Sequence, residues 1–153
     1  MSSIRLEQVT PDNIDAVCAV EVAVDQRHLV APVSRSLAEA YVHPDAAWPR
    51  AIVDGDKVVG FVMAFHDVQF DFDPKGRQRS GFWRLNIDKA QQGRGYGTFA
   101  VNAVLAEIRK RGHTSATVTF VPGPTGPEGF YRSLGFQLTE HLSGDETVAV
   151  LAF

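Results

Sequence analysis

The chain has 153 residues, 44% of them hydrophobic and 22% charged, with a formal net charge of −3. That length suggests one domain, residues 1–153, large enough to bury roughly 68–70% of its unfolded surface without disulfides or a structural metal. A pI near 5.9 argues against a general nucleic-acid binder, which carries a basic domain. No apolar stretch reaches membrane-spanning length, and no basic start precedes an apolar run, so no membrane partner is expected and the expected location is cytoplasmic. The single cysteine, Cys18, lies inside AVCAV; it excludes an internal disulfide and reads as a small buried hydrophobe.

In chain order, IRLEQV at 4–9 alternates like a first strand. TPDN at 10–13 is a helix start, with Thr10 as N-cap and Pro11 in the first helical position. Ile14, Val17, Val20 and Val24 recur at helical spacing and predict a helix to about Arg27. SRSLAEAYV predicts a second helix, capped by Ser34 or Ser36. RAIVD at 50–54 and KVVGFVMAF at 57–65 form a hairpin across Gly55-Asp56. HDVQFDFDPKGRQRS reads as a loop, and SGFWRLNID as a strand with Trp83, Leu85 and Ile87 on one face. A helix carries the stripe Phe99, Val101, Val104, Leu105 and Ile108 and ends at Gly112. TSATVTFV is a strand, PEGFYRSLGF holds a short helix, and FQLTEHL with ETVAVLAF closes the chain as a hairpin. The order is β-α-α-β-β-β-α-β-α-β-β. It predicts an α+β protein with a mixed, mostly antiparallel sheet and one crossover.

The segment QQGRGYG, residues 91–97, stands between a strand and a helix. Glycines there let backbone come close to a ligand, and the first amides of a helix have no internal partners. The Walker pattern needs a longer gap between its glycines and then Gly-Lys-Ser/Thr; the dinucleotide fingerprint needs G-x-G-x-x-G. Neither fits. What remains is Gln-x-x-Gly-x-Gly: Gln92, Gly93, Arg94, Gly95, Tyr96 and Gly97.

That pattern, with LNID before it and FYRSLGF after the next strand, resembles the GNAT family of acyl-CoA-dependent N-acetyltransferases. The resemblance implies the acyl-CoA N-acyltransferase fold, acetyl-CoA as co-substrate and a small-molecule amine as acceptor. It places the coenzyme A diphosphate on the amides of Gly93 through Thr98, with Gln92 among the cofactor-binding residues and Arg94 adding charge. The pantetheine arm would lie along the backbone of Leu85, Asn86 and Ile87. Tyr131 in YRSLGF corresponds to the family's tyrosine, the proton donor to the leaving thiolate and a neighbour of the cofactor. On family analogy a homodimer is expected.

A lysine-like amine has a pKa of about 10.4, so near pH 7 only about one molecule in a thousand is neutral and nucleophilic. Many members carry a carboxylate two residues before the position of Leu85; this chain has Trp83 there. Glu21 is then a candidate base through water, with Asp25, His28 and Trp83 as acceptor-binding candidates. Asp88 is expected to serve the turn. A second departure is Pro124, where the family often has an asparagine. QRHLVAP, SLAEAYV, VVGFVMAF, a long loop and WRLNIDKAQQGRGYG together resemble bacterial diamine and spermidine acetyltransferases; the loop HDVQFDFDP offers Asp67, Asp71 and Asp73, with Phe70 and Phe72 between them, to attract ammonium groups. An amino sugar, an amino acid and a protein N-terminus stay open as acceptors. So do two other classes, a catalytically weak acyl-CoA-binding module and a nucleotide-binding regulatory domain.

Overall fold

The computed structural model describes residues 3–123 and 126–153. Pro124 lies outside the described residues. One seven-stranded sheet runs β1-β2-β3-β4-β5-β7-β6. Its strands are β1 (Ile4–Glu7), β2 (Ala47–Asp54), β3 (Lys57–Gln69), β4 (Gln78–Ile87), β5 (Ser115–Phe120), β6 (Gln137–Ser143) and β7 (Glu146–Ala152). The helices are α1 (Ile14–Cys18), α2 (Val33–Val42), α3 (Tyr96–Lys110) and α4 (Glu128–Ser133). Element order is as the sequence predicts. The α+β class holds, with β4 and β5 the parallel pair and the other pairings antiparallel.

Two apolar clusters cover the sheet's two faces. On one, Phe82, Val118 and Phe120 meet α3 through Ala100, Val101, Val104 and Ile108, and α4 through Tyr131. On the other, Val17 and Val33 from α1 and α2 cover Ala51, Val53, Phe61 and Met63. Alternation along β2, β3 and β4 feeds both clusters, as a pleated strand covered on both faces requires.

Five expectations need correction. The first helix stops at Cys18, not Arg27, and only a short 3-10 turn, Val24–Gln26, follows. Val20 and Val22 are both buried while Val24 is 72% exposed, a period of two where the sequence suggested a helical one. The cause is a long-range clasp. The Glu21 N–H donates to Asp88 Oδ1 at 3.0 Å, and the Lys89 N–H donates to the Glu21 carbonyl at 2.7 Å. Cys18, at the end of the shortened helix, is consequently exposed rather than buried. In α2, Pro32 occupies the cap position with no side-chain cap, and Ser36 is buried. The loop expected from His66 begins only after Gln69, because Val68 and Gln69 pair with Arg79 and Gln78.

The fifth correction concerns β4. Met63 pairs with Arg84 and Ala64 with Phe82, so Trp83 is the extra residue of a bulge. A bulge re-aims side chains on one strand. Trp83 packs on the α1–α2 cluster, whereas Leu85 and Ile87 pack on the α3–α4 cluster. Trp83 therefore does not share a face with Leu85 and Ile87.

His66 is buried in β3, and neither ring nitrogen has a partner among the described residues. Burial first, then the Arg111 cation, pushes its pKa from 6.5 down to about 4. The unfolded chain therefore binds a proton that the native state refuses. This contribution to stability is complete above pH 6.5 and is lost as pH falls towards about 4. Urea midpoints should drop across that window, and His66→Phe should flatten that part of the slope. An unchanged slope in the variant would remove His66 from the account.

Candidate active site

β4 and β5 pair only at Gly81 with Thr117 and Phe82 with Val118. The approach there is close: a Cβ on Gly81 would sit 1.6 Å from the Thr117 carbonyl oxygen. Beyond those two pairs the strands run on to Ile87 and Phe120 without pairing. The gap opens a cavity of about 810 Å³, lined by Trp83, Leu85 and Ile87 of β4, Val118 through Phe120 of β5, and Phe130 and Tyr131 of α4.

The glycine segment closes one end. Gly93 and Gly95 have φ of +79° and +84°, a conformation that L side chains rarely adopt, and a Cβ on either would meet nothing within 4 Å. Gly95 caps α3 in the left-handed region. The amides from Gly93 through Thr98 donate to no group among the described residues, the first helical bond being Phe99 N–H to the Gly95 carbonyl at 3.0 Å. The positive end of a 15-residue helix lies behind them, and Gly93, Gly95, Tyr96, Gly97 and Thr98 line the cavity.

Several contacts fix that end in place. The Tyr96 hydroxyl donates to Asp54 Oδ2 at 2.6 Å, tying the first turn of α3 to the end of β2. Gln92 Nε2 donates to the Ile87 carbonyl at 3.1 Å and to Gln26 Oε1 at 2.8 Å. Asp88 performs its expected turn role, accepting from the Ala90 N–H at 3.2 Å. Asn86 does not line the cavity; its Nδ2 donates to the Ala31 carbonyl at 3.0 Å, holding the segment before α2 against β4.

Tyr131 is 5% exposed and packs between aromatic rings, stacked on Phe120 at 5.7 Å and edge-on to Phe136 at 5.6 Å. Burial pushes its phenol well above the usual range, so it stays protonated. It lines the cavity together with Leu85, Ile87, Gln92, Gly93, Gly95, Tyr96, Gly97 and Thr98. Arg94 is exposed and does not line it.

The acceptor-side expectations divide. His28 and Trp83 line the cavity. Glu21 and Asp25 do not: Glu21 is bound at the surface to Lys89 at 3.2 Å and to Arg27 at 3.9 Å, and Asp25 is exposed. The acidic loop also lies elsewhere. Asp71 borders a separate depression with Phe70, Phe72 and Leu142. Asp73 is buried against Arg79 at 3.0 Å, and Asp67 contacts His113 at 2.8 Å. Sequence reasoning missed Arg27, Arg84, Thr119 and Glu146, all on the cavity wall. Nothing local marks them; insertion of β7 between β5 and β6 brings Glu146 beside Thr119.

The fold is similar to that of a GNAT family acetyltransferase from Brucella melitensis solved with acetyl-CoA, at TM-score 0.68 and 16% identity over 98% of this chain and 88% of that one. It is similar to the PaiA N-acetyltransferase of Thermoplasma acidophilum solved with coenzyme A, at TM-score 0.69 and 9% identity over 99% of both chains. A domain from Methanocaldococcus jannaschii aligns over 100% of both chains at TM-score 0.74 and 15% identity. No curated protein shows significant sequence similarity to the chain. The profile of the acetyltransferase (GNAT) family matches residues 19–136, from the end of α1 through the glycine segment and α4 to Phe136, and the chain belongs to that family.

Proposed function

We propose that this protein transfers an acetyl group from acetyl-CoA to a primary amine of a small molecule. The observation that carries the reading is the row of unpartnered amides from Gly93 through Thr98, opening into the unpaired gap between β4 and β5. A diphosphate matches those donors in charge and in number of acceptors. The unpaired edge of β4, Leu85 through Ile87, offers backbone groups to the amide-rich pantetheine arm, and Gln92 steadies the loop from below. Open space beside Gly93 and Gly95 supports close approach by the ligand.

Tyr131 serves as proton donor to the departing thiolate. Its apolar surroundings keep the proton on the phenol until the sulfur develops charge. On the acceptor side, His28 and Trp83 contact the amine-bearing substrate. A diamine or polyamine acceptor draws support from Glu146, the one carboxylate on the cavity wall among the described residues. A second reading, an amino acid, draws support from Arg27 and Arg84 on the same wall. Arg84 is held by Glu39 at 3.2 Å and Arg27 more loosely by Glu21 at 3.9 Å, which makes Arg27 the better partner for a substrate carboxylate. A cytoplasmic homodimer completes the proposal; the exposed Leu138 and Leu142 on edge strand β6 support self-association.

Release of coenzyme A thiol across spermidine, 1,4-diaminobutane, L-lysine, L-aspartate and glucosamine tests the activity and separates the two readings; no release with any of them counts against it. Gly95→Val forces a β-branched residue into the left-handed region and fills the space above the amides. Calorimetric affinity for acetyl-CoA should fall at least about 100-fold, the loss of roughly 2.7 kcal/mol; retained affinity would contradict the loop assignment. Tyr131→Phe should lower kcat by about 10²-fold, within the range of general acid catalysis, and leave acetyl-CoA affinity unchanged. Equal kcat would exclude the phenol from the reaction.

A further inference from the structure

We propose that Glu146 takes the proton from the acceptor ammonium, working from the face of the sheet opposite Tyr131. The inference rests on the acetyltransferase reading above and supplies the base that Trp83 leaves missing from β4.

The geometry starts with strand alternation. In β5, Ala116, Val118 and Phe120 join the α3–α4 cluster, so Thr117 and Thr119 point to the α1–α2 face. Thr119 pairs with Val148, which puts Val148 and Glu146, two residues away along β7, on that same face. The Thr119 hydroxyl donates to Glu146 Oε1 at 2.8 Å. The bulge turns Trp83 to the same face from β4, and Arg84, paired with Met63, lies there too. The gap between β4 and β5 is therefore lined on one face by Tyr131 and Phe120 and on the other by Glu146 and Trp83. A thioester lying in the gap has a proton donor on its sulfur side and a carboxylate where an amine would arrive. Among the described residues no other carboxylate lines the cavity, and its remaining titratable groups are Arg27, His28, Arg84, Tyr96 and Tyr131.

The step balances. The Glu146 carboxylate takes one proton from R–NH3+ and releases it to solvent. The free amine attacks the thioester carbonyl carbon, a C–N bond forms and the C–S bond breaks. Tyr131 gives its proton to the sulfur and the nitrogen's surplus proton restores the phenol, so the products are an amide, a thiol and the one proton that Glu146 passed to solvent.

Glu146→Gln preserves shape and the Thr119 contact while removing the base. With the best amine of the panel above, kcat/KM near pH 7.5 should fall about 10²-fold. The deficit should shrink as pH rises towards the amine's own pKa, since the free amine then needs no base. Acetyl-CoA affinity and melting temperature should match wild type, and Glu146→Asp should recover part of the rate. A kcat/KM within twofold of wild type, or a deficit constant with pH, overturns the assignment while leaving the acetyltransferase reading intact. Wild-type protein that neither binds acetyl-CoA nor releases thiol with any panel amine overturns both.

Discussion

The separation of β4 from β5 is the constraint on which the rest of the site depends. Two parallel strands that begin paired at Gly81 and Phe82 and then diverge leave two rows of backbone groups without strand partners across the gap. Buried backbone polar groups demand partners, and here a ligand is the natural source. The divergence also admits side chains from both faces into one space. Gly81 sets its starting point, because a side chain there would collide with the Thr117 backbone. The bulge at Trp83 sets its character by turning an indole towards the α1–α2 side.

Around that gap the protein concentrates its long-range polar contacts. The Glu21–Asp88–Lys89 clasp, the Asn86 bond to Ala31 and the Gln92–Gln26 pair all bind the segment between α1 and α2 to the exit of β4. None is a strong interaction singly, at about 0.5–1.5 kcal/mol net each. Together they hold the segment carrying Arg27, His28 and Leu29 over the cavity rather than letting it continue as a helix. The same contacts cost α1 its predicted length. Local propensity yields to tertiary pairing when buried groups, such as Val20 and Val22, gain more in the extended form.

Aromatic packing on the α3–α4 face serves a different purpose. Phe82, Phe120, Phe130 and Phe136 surround Tyr131, and their low polarity holds its proton in place. The opposite face keeps charged groups, Glu146 and Arg84 among them. At the gap the sheet thus separates apolar side chains on one face from Glu146, Thr119 and Arg84 on the other.

The sequence by itself determined the order of elements, the α+β class and the glycine-built loop that opens α3 beside the cavity. Those features are written in local signals: alternation, turn residues, and glycines where a side chain would be strained. The sequence also suggested Glu21 as the base and Asp25 and the acidic loop as acceptor groups, because carboxylates near the right segments look alike until their partners are known. Only the tertiary structure decided that Glu21 and Asp73 are spent on surface and buried ion pairs, that Trp83 turns away from Leu85, and that Glu146 meets Thr119 across β5 and β7. Each of these follows from register and strand insertion, which join residues far apart in the chain and leave no mark on any short stretch of it.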